Sequence, residues 1–343
     1  MEQDLVNRWK EAIETSPCKT KEKAMLFQYV TDMLNRGGVI IINAFHLARL
    51  IGIEEDTLNQ MIVLPDHFYR TFTIPKRSGG ERQISAPYPA LMMVQKWIYE
   101  TILLPGVEVS ESATGFVPGK SIVDNAVAHL NNKEILKMDI KDFFPSIGIQ
   151  RVVSVFKGLG YYHRVAYYLA SLCCEDKRLP QGAPTSPILS NIVAKRLDFR
   201  LKHLADKFGM VYTRYADDLT FSGEHIPVKF ISIVSQIVAN EGFEVNEGKT
   251  VIMREKNRKI ITGVSISSDK LCIPRAKKRW IRQQSFYIQR YGMRSHMRRK
   301  HIIDPFYDLR MNGYLAYWKA IEPDNNYLQK IEEKSKNYKK RGK

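Results

Sequence analysis

The chain has 343 residues, of which 44% are hydrophobic, and its 53 Lys and Arg outnumber its 36 Asp and Glu to give a formal charge of +17. This composition excludes global disorder and suits two or three packed subdomains. The excess of positive charge indicates a polyanionic partner, with nucleic acid the first candidate and an anionic membrane the second.

Membrane-spanning and secreted proteins are not indicated. No stretch reaches the roughly 18–20 apolar residues of a membrane span, and the N-terminus lacks the basic-then-apolar order of a signal peptide. The four cysteines form no CxxC pair, so we expect neither a zinc site nor a disulfide framework. A reducing cytosol fits this cysteine usage.

The first part of the chain, to about residue 60, is predicted to be helical. Apolar residues recur at helical spacing on both sides of Gly52 in LARLIGIEEDTLNQMI. A helix-turn-helix motif and an ordinary helical hairpin packed on the body both fit, and we favour the hairpin. FYRTFTIPKRSGGERQISAP then predicts two strands with SGG at their turn, followed by a helix from about Ala90 to Leu103.

The middle of the chain interleaves strands and helices, which predicts an α+β core. A Gly-rich loop in ATGFVPGKSIVDNAVAHL leads into a helix, and ILKMDI predicts a strand. Leu136 and Met138 would share one face of that strand and leave Asp139 on the other, exposed face. Helices are predicted at about 150–175 and 187–208. Further strands are predicted in VYTRY, LTFSG, EVNEGKT and KIITGVSISSDKLCI.

The C-terminal part is strongly basic. Residues 275–300, here called the basic run, contain ten Lys or Arg and no acid, and the chain ends NYKKRGK. A solvated helix face is the ordinary explanation of a charge run, but the absence of any acid favours contact with phosphate groups. The interleaved aromatic residues are expected to pack between helices rather than to stack on bases.

Two adjacent aspartates, Asp217 and Asp218, lie between two short predicted strands in RYADDLTFSG. Aspartates are common in turns, where they bond to nearby backbone. At a tight hairpin tip, however, both carboxylates approach one volume, and Asp139 is the expected third member. Three converging carboxylates need a counter-charge, which Mg²⁺ supplies through oxygen ligands. Two such ions about 3.5–4 Å apart would support in-line phosphoryl transfer.

These motifs resemble the ordered blocks of a reverse transcriptase between about residues 68 and 268. The blocks are FTIPKRSGGERQI, ATGFVPGKSI, LKMDIKDFFPSI, LPQGAPTSPILSNIVAKRLD, RYADDLT, EVNEGKT and ITGVSIS. The resemblance implies an α+β right-hand polymerase fold. Its parts would be an N-terminal helical region (1–60), fingers (61–130), a palm (131–268) with a helical insertion at about 150–180, and a thumb with a basic tail (269–343).

The resemblance also implies roles for individual residues. Two Mg²⁺ ions, with Mn²⁺ as a substitute, would bind to Asp139, Ile140 (through its carbonyl), Asp217 and Asp218. Phe144 would lie under the deoxyribose and select dNTP over NTP, although on its own it also fits a core residue. Lys249 would protonate the leaving pyrophosphate. The other residues of the nucleotide site would be Lys76, Arg82, Gln181 and Gly182.

Two short elements resemble the retron reverse transcriptases in particular. NAVAH, Asn125 to His129, matches their NAxxH element, and ITG, Ile261 to Gly263, resembles their VTG element. Asn125 and His129 would share one helix face and either contact RNA or brace the palm as a satisfied polar pair. Thr262 and Gly263 would lie in a strand close to the RNA. The predicted RNA-binding set is completed by Arg275, Lys277, Lys278 and Arg279.

A retron enzyme would bind its own structured noncoding RNA and prime from the 2′-hydroxyl of a guanosine in it. Its product would be multicopy single-stranded DNA, a branched RNA–DNA molecule. The resemblance further implies dNTP substrates, anti-phage defence with a separate effector protein, template removal by a host RNase H and a bacterial cytoplasmic location. Two alternatives stay open: another bacterial reverse transcriptase of group II intron or diversity-generating type, and an RNA-binding scaffold or antitoxin that restrains an effector.

Overall fold

Four helices begin the chain: α1 (Glu2–Glu14), α2 (Thr20–Asn35), α3 (Ala44–Ile51) and α4 (Glu55–Val63). The computed structural model describes residues 2–76 and 79–331. Asn43 caps α3 by accepting a 2.8 Å hydrogen bond from the amide of His46, and Gly52 ends the helix with φ 82°. Leu47 and Leu58 bury α3 and α4 in the main core, so the pair forms the helical hairpin that we favoured.

A strand hairpin and a helical segment follow. Strands β1 (Tyr69–Pro75) and β2 (Glu81–Pro87) pair antiparallel along their whole length. Ser78, the first residue of the predicted SGG turn, lies outside the described residues, as does Arg77 before it. The helix expected to end near Leu103 is present, and its second half is π-helical. The helical segments are α5 (Pro89–Trp97), the π-helix Ile98–Leu103, α6 (Leu104–Gly106) and α7 (Ile122–Val127).

An antiparallel sheet of order β4-β5-β3-β6 forms the centre of the molecule. Its strands are β3 (Glu134–Asp139), β4 (Val211–Tyr215), β5 (Asp218–Gly223) and β6 (Val251–Met253), and the associated helices are α8 (Ile149–Gly158), α9 (His163–Cys173), α10 (Ser186–Val193), α11 (Lys195–Lys207) and α12 (Val228–Asn240). Leu136 and Met138 face the main core, and Phe221 of β5 packs edge to face on Phe230 of α12. Asp139 lies on the opposite face, because side chains alternate along a strand.

The C-terminal helices pack on that opposite face. They are α13 (Arg275–Tyr291), α14 (Met293–Arg299) and α15 (Tyr307–Ile321), preceded by a short hairpin of β7 (Ile260–Ile261) and β8 (Val264–Ser265). A second apolar core contains Ile135 of β3, Ile281 of α13 and Trp318 of α15. Because Ile135 and Asp139 share a face, this core covers one end of the face and leaves the aspartates at the other. The predicted basic tail, NYKKRGK, lies outside the described residues.

The segment EVNEGKT is not the predicted strand. Val245 makes a single bridge to Ile140, and Glu247–Lys249 is a 3₁₀ helix. The amide of Asn246 donates a 2.7 Å hydrogen bond to the carbonyl of Asp139, which holds the segment over the end of β3. Among residues 2–76 and 79–331, no helix combines the length and apolar character needed to cross a membrane.

Candidate active site

The β4–β5 hairpin carries two aspartates at its tip. Ala216 and Asp217 form its two-residue turn, and Ala216 adopts a strained φ of 57°. Asp218 is the register partner of Asp139 on β3, and the carbonyl of Asp217 accepts a 2.9 Å hydrogen bond from the amide of Ile140. The hairpin therefore brings the three aspartates of the predicted site to one end of the sheet.

A buried ion pair that sequence analysis missed supports this turn. Arg214 of β4 donates two 2.7 Å hydrogen bonds to the carboxylate of Asp198 on α11, and both side chains are fully buried. Its Nη1 also donates to Asn191 Oδ1 at 3.0 Å and to the carbonyl of Ala216 at 3.1 Å. The signal in the sequence was an arginine at an inward position of a strand, which requires a buried acid.

Burial and mutual repulsion disfavour ionisation of the hairpin aspartates. The pKa of Asp217 is raised to about 6, chiefly by desolvation and then by the charge of Asp218. Desolvation also raises the pKa of Asp218. Lys249 Nζ lies 2.8 Å from both carboxylate oxygens of Asp139, and these hydrogen bonds raise the pKa of the lysine. The site therefore holds excess negative charge that one ammonium group partly neutralises.

Asp139 is not on an exposed face, contrary to prediction. Its exposed fraction is 6%, because Lys249 and the segment before it cover the carboxylate. Within residues 2–76 and 79–331, no three His, Cys, Asp or Glu side chains are arranged so that they could hold a metal ion. Carboxylate oxygens suit a hard divalent cation, but Lys249 engages Asp139 here. The charges of Asp218 and Asp139 both act on Asp217, so the three carboxylates lie close enough to repel one another, and their binding of metal ions stays a prediction.

The residues predicted for the nucleotide site lie on several elements. Phe144 is half-buried, with its ring centroid 5.6 Å from that of the buried Phe143 and 6.0 Å from that of Phe116. Lys76 and Arg82 are exposed on the β1–β2 hairpin. These positions leave Phe144 adjacent to the end of β3 and the two cations open to solvent, so their nucleotide contacts stay predictions.

Gly182 approaches protein backbone, and its predicted place in the nucleotide site stays a prediction. It adopts φ 142°, and a Cβ atom added to it would lie 2.7 Å from the carbonyl oxygen of Ser85 on β2. The carbonyl of Gln181 accepts a 3.0 Å hydrogen bond from the amide of the same Ser85. The glycine is thus required by the contact between this loop and the β1–β2 hairpin. A nucleotide contact by the half-buried Gln181 side chain stays a prediction.

Asn125 and His129 of NAVAH are fully buried, so the structure corrects the expected RNA contact by these side chains. They do not share a helix face, because α7 ends before His129. Asn125 Oδ1 accepts hydrogen bonds from the hydroxyls of Thr213 at 2.6 Å and Thr114 at 3.1 Å. His129 contacts Ser222 through Nδ1 at 2.6 Å and Thr213 through Nε2 at 2.7 Å. The two residues are a satisfied polar pair that braces the sheet.

Thr262 and Gly263 form the turn between β7 and β8 and do not lie in a strand, contrary to prediction. Their φ angles are 45° and 85°. Thr262 Oγ1 accepts a 3.4 Å hydrogen bond from Asn125 Nδ2, and the carbonyl of Gly263 accepts a 3.0 Å hydrogen bond from the hydroxyl of Tyr317 on α15. The NAVAH and ITG elements are therefore in contact, and this turn joins the sheet to the C-terminal helices. Gly263 is exposed, so its closeness to RNA stays a prediction.

The basic run contains both paired and exposed cations. Lys278 Nζ lies 2.8 Å from a carboxylate oxygen of Glu322, and Lys277 Nζ lies 3.6 Å from the ring centroid of Tyr314. Both lysines have partners within the protein, which leaves them less available for the predicted RNA contact. Sequence analysis did not pair Lys278 with an acid because Glu322 lies outside the basic run. Of the four cations in the run that were predicted to bind RNA, Arg275 and Arg279 are exposed.

Comparison with known proteins identifies the family. Residues 74–278 match the family model described as reverse transcriptase (RNA-dependent DNA polymerase). The chain is also 35% identical over 263 residues to the retron Ec86 reverse transcriptase of Escherichia coli, and the match covers 75% of this chain and 82% of the relative. This chain belongs to the retron reverse transcriptase family. The predicted family, right-hand polymerase fold and RNA-directed DNA polymerase class are confirmed, and the alternative of another type of bacterial reverse transcriptase is set aside.

Two further relatives match a shorter part of this chain. The retron Mx65 and Mx162 reverse transcriptases of Myxococcus xanthus are 42% and 36% identical over 220 and 230 residues, each over 58% of this chain. The matches cover 51% and 47% of these relatives, so this chain spans about half their length. A solved structure of apo telomerase from Candida tropicalis, truncated from its C-terminal domain, is 15% identical at a TM-score of 0.42 over 65% of this chain and 61% of that chain. Reverse transcriptases copy an RNA template and use divalent metal ions.

Proposed function

We propose that this enzyme binds its own structured noncoding RNA, primes from the 2′-hydroxyl of a guanosine in that RNA, and copies part of it into multicopy single-stranded DNA. The observation that carries the proposed chemistry is the pairing of Asp139 with Asp218 beside the turn residue Asp217. Nucleotidyl transfer requires carboxylates at the point where the phosphate reacts. Membership of the retron family supports the branched product.

We propose that Asp139, Asp217, Asp218 and the carbonyl of Ile140 hold two Mg²⁺ ions, which Mn²⁺ can replace. Bound ions would offset the repulsion that raises the pKa of Asp217 and would stabilise charge on the pyrophosphate. Lys249 neutralises Asp139 in the described structure. Its Nζ carries a proton that we propose is donated to the leaving pyrophosphate.

We propose further contacts for residues that lie away from the carboxylates. Phe144 would lie under the deoxyribose and exclude a 2′-hydroxyl, and Arg275 would bind RNA phosphate. The other nucleotide contacts would come from Lys76, Arg82 and Gln181, and the other RNA contacts from Gly263 and Arg279. The proposed parts are the N-terminal helical region (1–60), fingers (61–130), palm (131–268) and thumb with its tail (269–343). The proposed setting is the bacterial cytoplasm, where a host RNase H removes template RNA and an effector protein acts in anti-phage defence.

The active site is tested by the double variant Asp217→Asn, Asp218→Asn. We expect it to abolish Mg²⁺-dependent extension of an RNA template with dNTPs and to leave RNA affinity within about twofold, because amides keep the shape but lose the charge. Asp142→Asn is the matched control, since Asp142 is exposed after β3 and its φ of 45° suits asparagine. Wild-type extension by the double variant would refute the active site.

The retron product is tested in cells that carry the gene of the enzyme together with the DNA next to it, which would encode the noncoding RNA. We expect nucleic acid recovered with the wild-type enzyme to contain a DNA strand joined to RNA through a 2′–5′ bond, which a debranching enzyme cleaves. The double aspartate variant should yield the RNA alone. Unbranched DNA from an active enzyme would refute priming from a 2′-hydroxyl and leave the polymerase assignment standing.

A further inference from the structure

The segment before α7 is bonded to the outer edge of β4, next to the catalytic hairpin. Thr114 donates a 2.8 Å backbone hydrogen bond to the carbonyl of Arg214, whose own amide donates a 2.8 Å bond to the carbonyl of Ser112. Ala113 pairs with Arg214 as a parallel bridge. The segment therefore acts as an added strand, fixed to the residue that also holds the turn through its side chain.

Gly115, the next residue, touches the catalytic turn itself. A Cβ atom added to it would lie 2.7 Å from the amide nitrogen of Ala216 and 3.1 Å from the ring of Tyr215. Its carbonyl accepts a 2.9 Å hydrogen bond from Asn191 Nδ2, and that amide side chain also accepts from Arg214. One buried network thus positions both the turn and the backbone that leads to Phe116.

Phe116 is unusual both in its exposure to solvent and in its backbone conformation. Ser112 to Gly115 are buried, yet the Phe116 side chain is 43% exposed. Its φ is 60°, a conformation that is costly for a bulky residue and that persists only where the surrounding structure imposes it. A residue kept only for core packing would be buried in a relaxed backbone, so stability does not explain this placement.

The exposed ring lies beside two aromatic residues of the segments that carry the aspartates. Its centroid is 6.0 Å from that of Phe144 and 6.4 Å from that of Tyr215, the residue before the turn. Both neighbours are only partly buried. The three rings therefore form a partly exposed apolar cluster next to the turn that carries Asp217, and its most exposed ring is the one in the strained backbone.

We propose that Phe116 contacts the nucleotide in the insertion site, with its ring against the base and sugar and next to Phe144. This inference rests on the proposed active site, because it takes the end of β3 as the point of phosphoryl transfer. An aromatic ring suits every base, since each base has an apolar π face. Phe116 thus sets affinity for dNTPs rather than affinity for the RNA.

Two variants and a matched control test this role. Phe116→Asn removes the ring and tolerates a positive φ, so we expect the KM for dNTPs to rise about tenfold with kcat changed less. The melting temperature should stay level or rise, and RNA affinity should be unchanged. Phe116→Tyr keeps the ring and should retain the wild-type KM. Phe199→Asn is the control, because Phe199 is 73% exposed on α11.

The KM and the melting temperature together distinguish a nucleotide contact from a packing role. A KM for Phe116→Asn within twofold of the wild type would overturn the inference while the polymerase stays active. A marked fall in melting temperature, with the KM restored by any large apolar residue, would make Phe116 a packing residue and would also overturn it. A wild-type enzyme that incorporates no dNTP would refute the proposed active site first and this role with it.

Discussion

Acid should weaken the fold of this enzyme through one histidine. Thr213 donates its only hydroxyl hydrogen to Asn125, so it can only accept from His129. Nε2 of His129 therefore carries the ring hydrogen, and Nδ1 accepts from the hydroxyl of Ser222. This neutral ring satisfies its partners, and burial lowers its pKa from 6.5 to about 4. Protonation would place a hydrogen on Nδ1, the atom that already accepts the hydrogen of the Ser222 hydroxyl.

The lowered pKa of His129 determines both the direction and the size of the change in stability with pH. In the unfolded chain the histidine titrates near its ordinary pKa of about 6.5, so between about pH 6.5 and 4 the unfolded state binds the extra proton. The stability contributed by the neutral ring is complete above pH 6.5 and is lost as the pH falls toward 4. Each pH unit corresponds to about 1.4 kcal/mol, so the free energy of unfolding should fall by about 3 kcal/mol over the range.

Urea unfolding of the wild type and of His129→Gln, measured between about pH 4.5 and 7.5, separates this residue from the other titrating groups. Glutamine can donate and accept hydrogen bonds but does not titrate in this range. We therefore expect the variant to be less stable near neutral pH and the difference to shrink in acid. Two parallel curves would refute the assignment of a neutral, buried ring.

Three further predictions concern other parts of the molecule. Phe144→Ala should raise incorporation of rNTPs relative to dNTPs, and an unchanged ratio would place the ring outside the nucleotide site. Arg275→Ala with Arg279→Ala should weaken RNA binding and reduce the slope of log K against log salt by up to about 2. Lys278→Met, whose charge is already paired, should keep that slope, and equal slopes in both variants would contradict the division of the basic run. Arg214→Leu should lower the free energy of unfolding by about 3–5 kcal/mol because it strands a buried carboxylate, and a loss below about 1 kcal/mol would contradict this.

Alternation along the strands was sufficient to predict three of the four strands of the central sheet, and β6 was missed. In ILKMDI and LTFSG, alternate residues form an apolar face that packs on the main core, and a shift of one residue would expose it. EVNEGKT has no such face, and Asn246 and Gly248 favour turns, so a 3₁₀ helix forms instead. Strand prediction therefore succeeded where burial fixed the register and failed where local turn chemistry decided.

Contacts between residues far apart in sequence could not be predicted in the same way. Ten cations without a local acid suggested a free basic surface, yet Glu322 reaches back to Lys278. NAVAH was predicted to be a continuous helix turn, and the end of α7 instead turns His129 into the sheet. The three aspartates were identified from their motifs, but the ammonium of Lys249 on Asp139 depends on how a 3₁₀ helix folds back.

The strand added at Ser112–Thr114 affects how this enzyme can bind other proteins. It occupies the outer side of β4, and the opposite edge strand of the sheet, β6, has only three residues. Long free edges recruit strands from other molecules and begin aggregation. Within the described residues, the central sheet therefore offers little backbone for strand exchange, so a partner protein would have to recognise side chains and loops. Detachment of Ser112–Thr114 would be the event that opens the sheet to self-association.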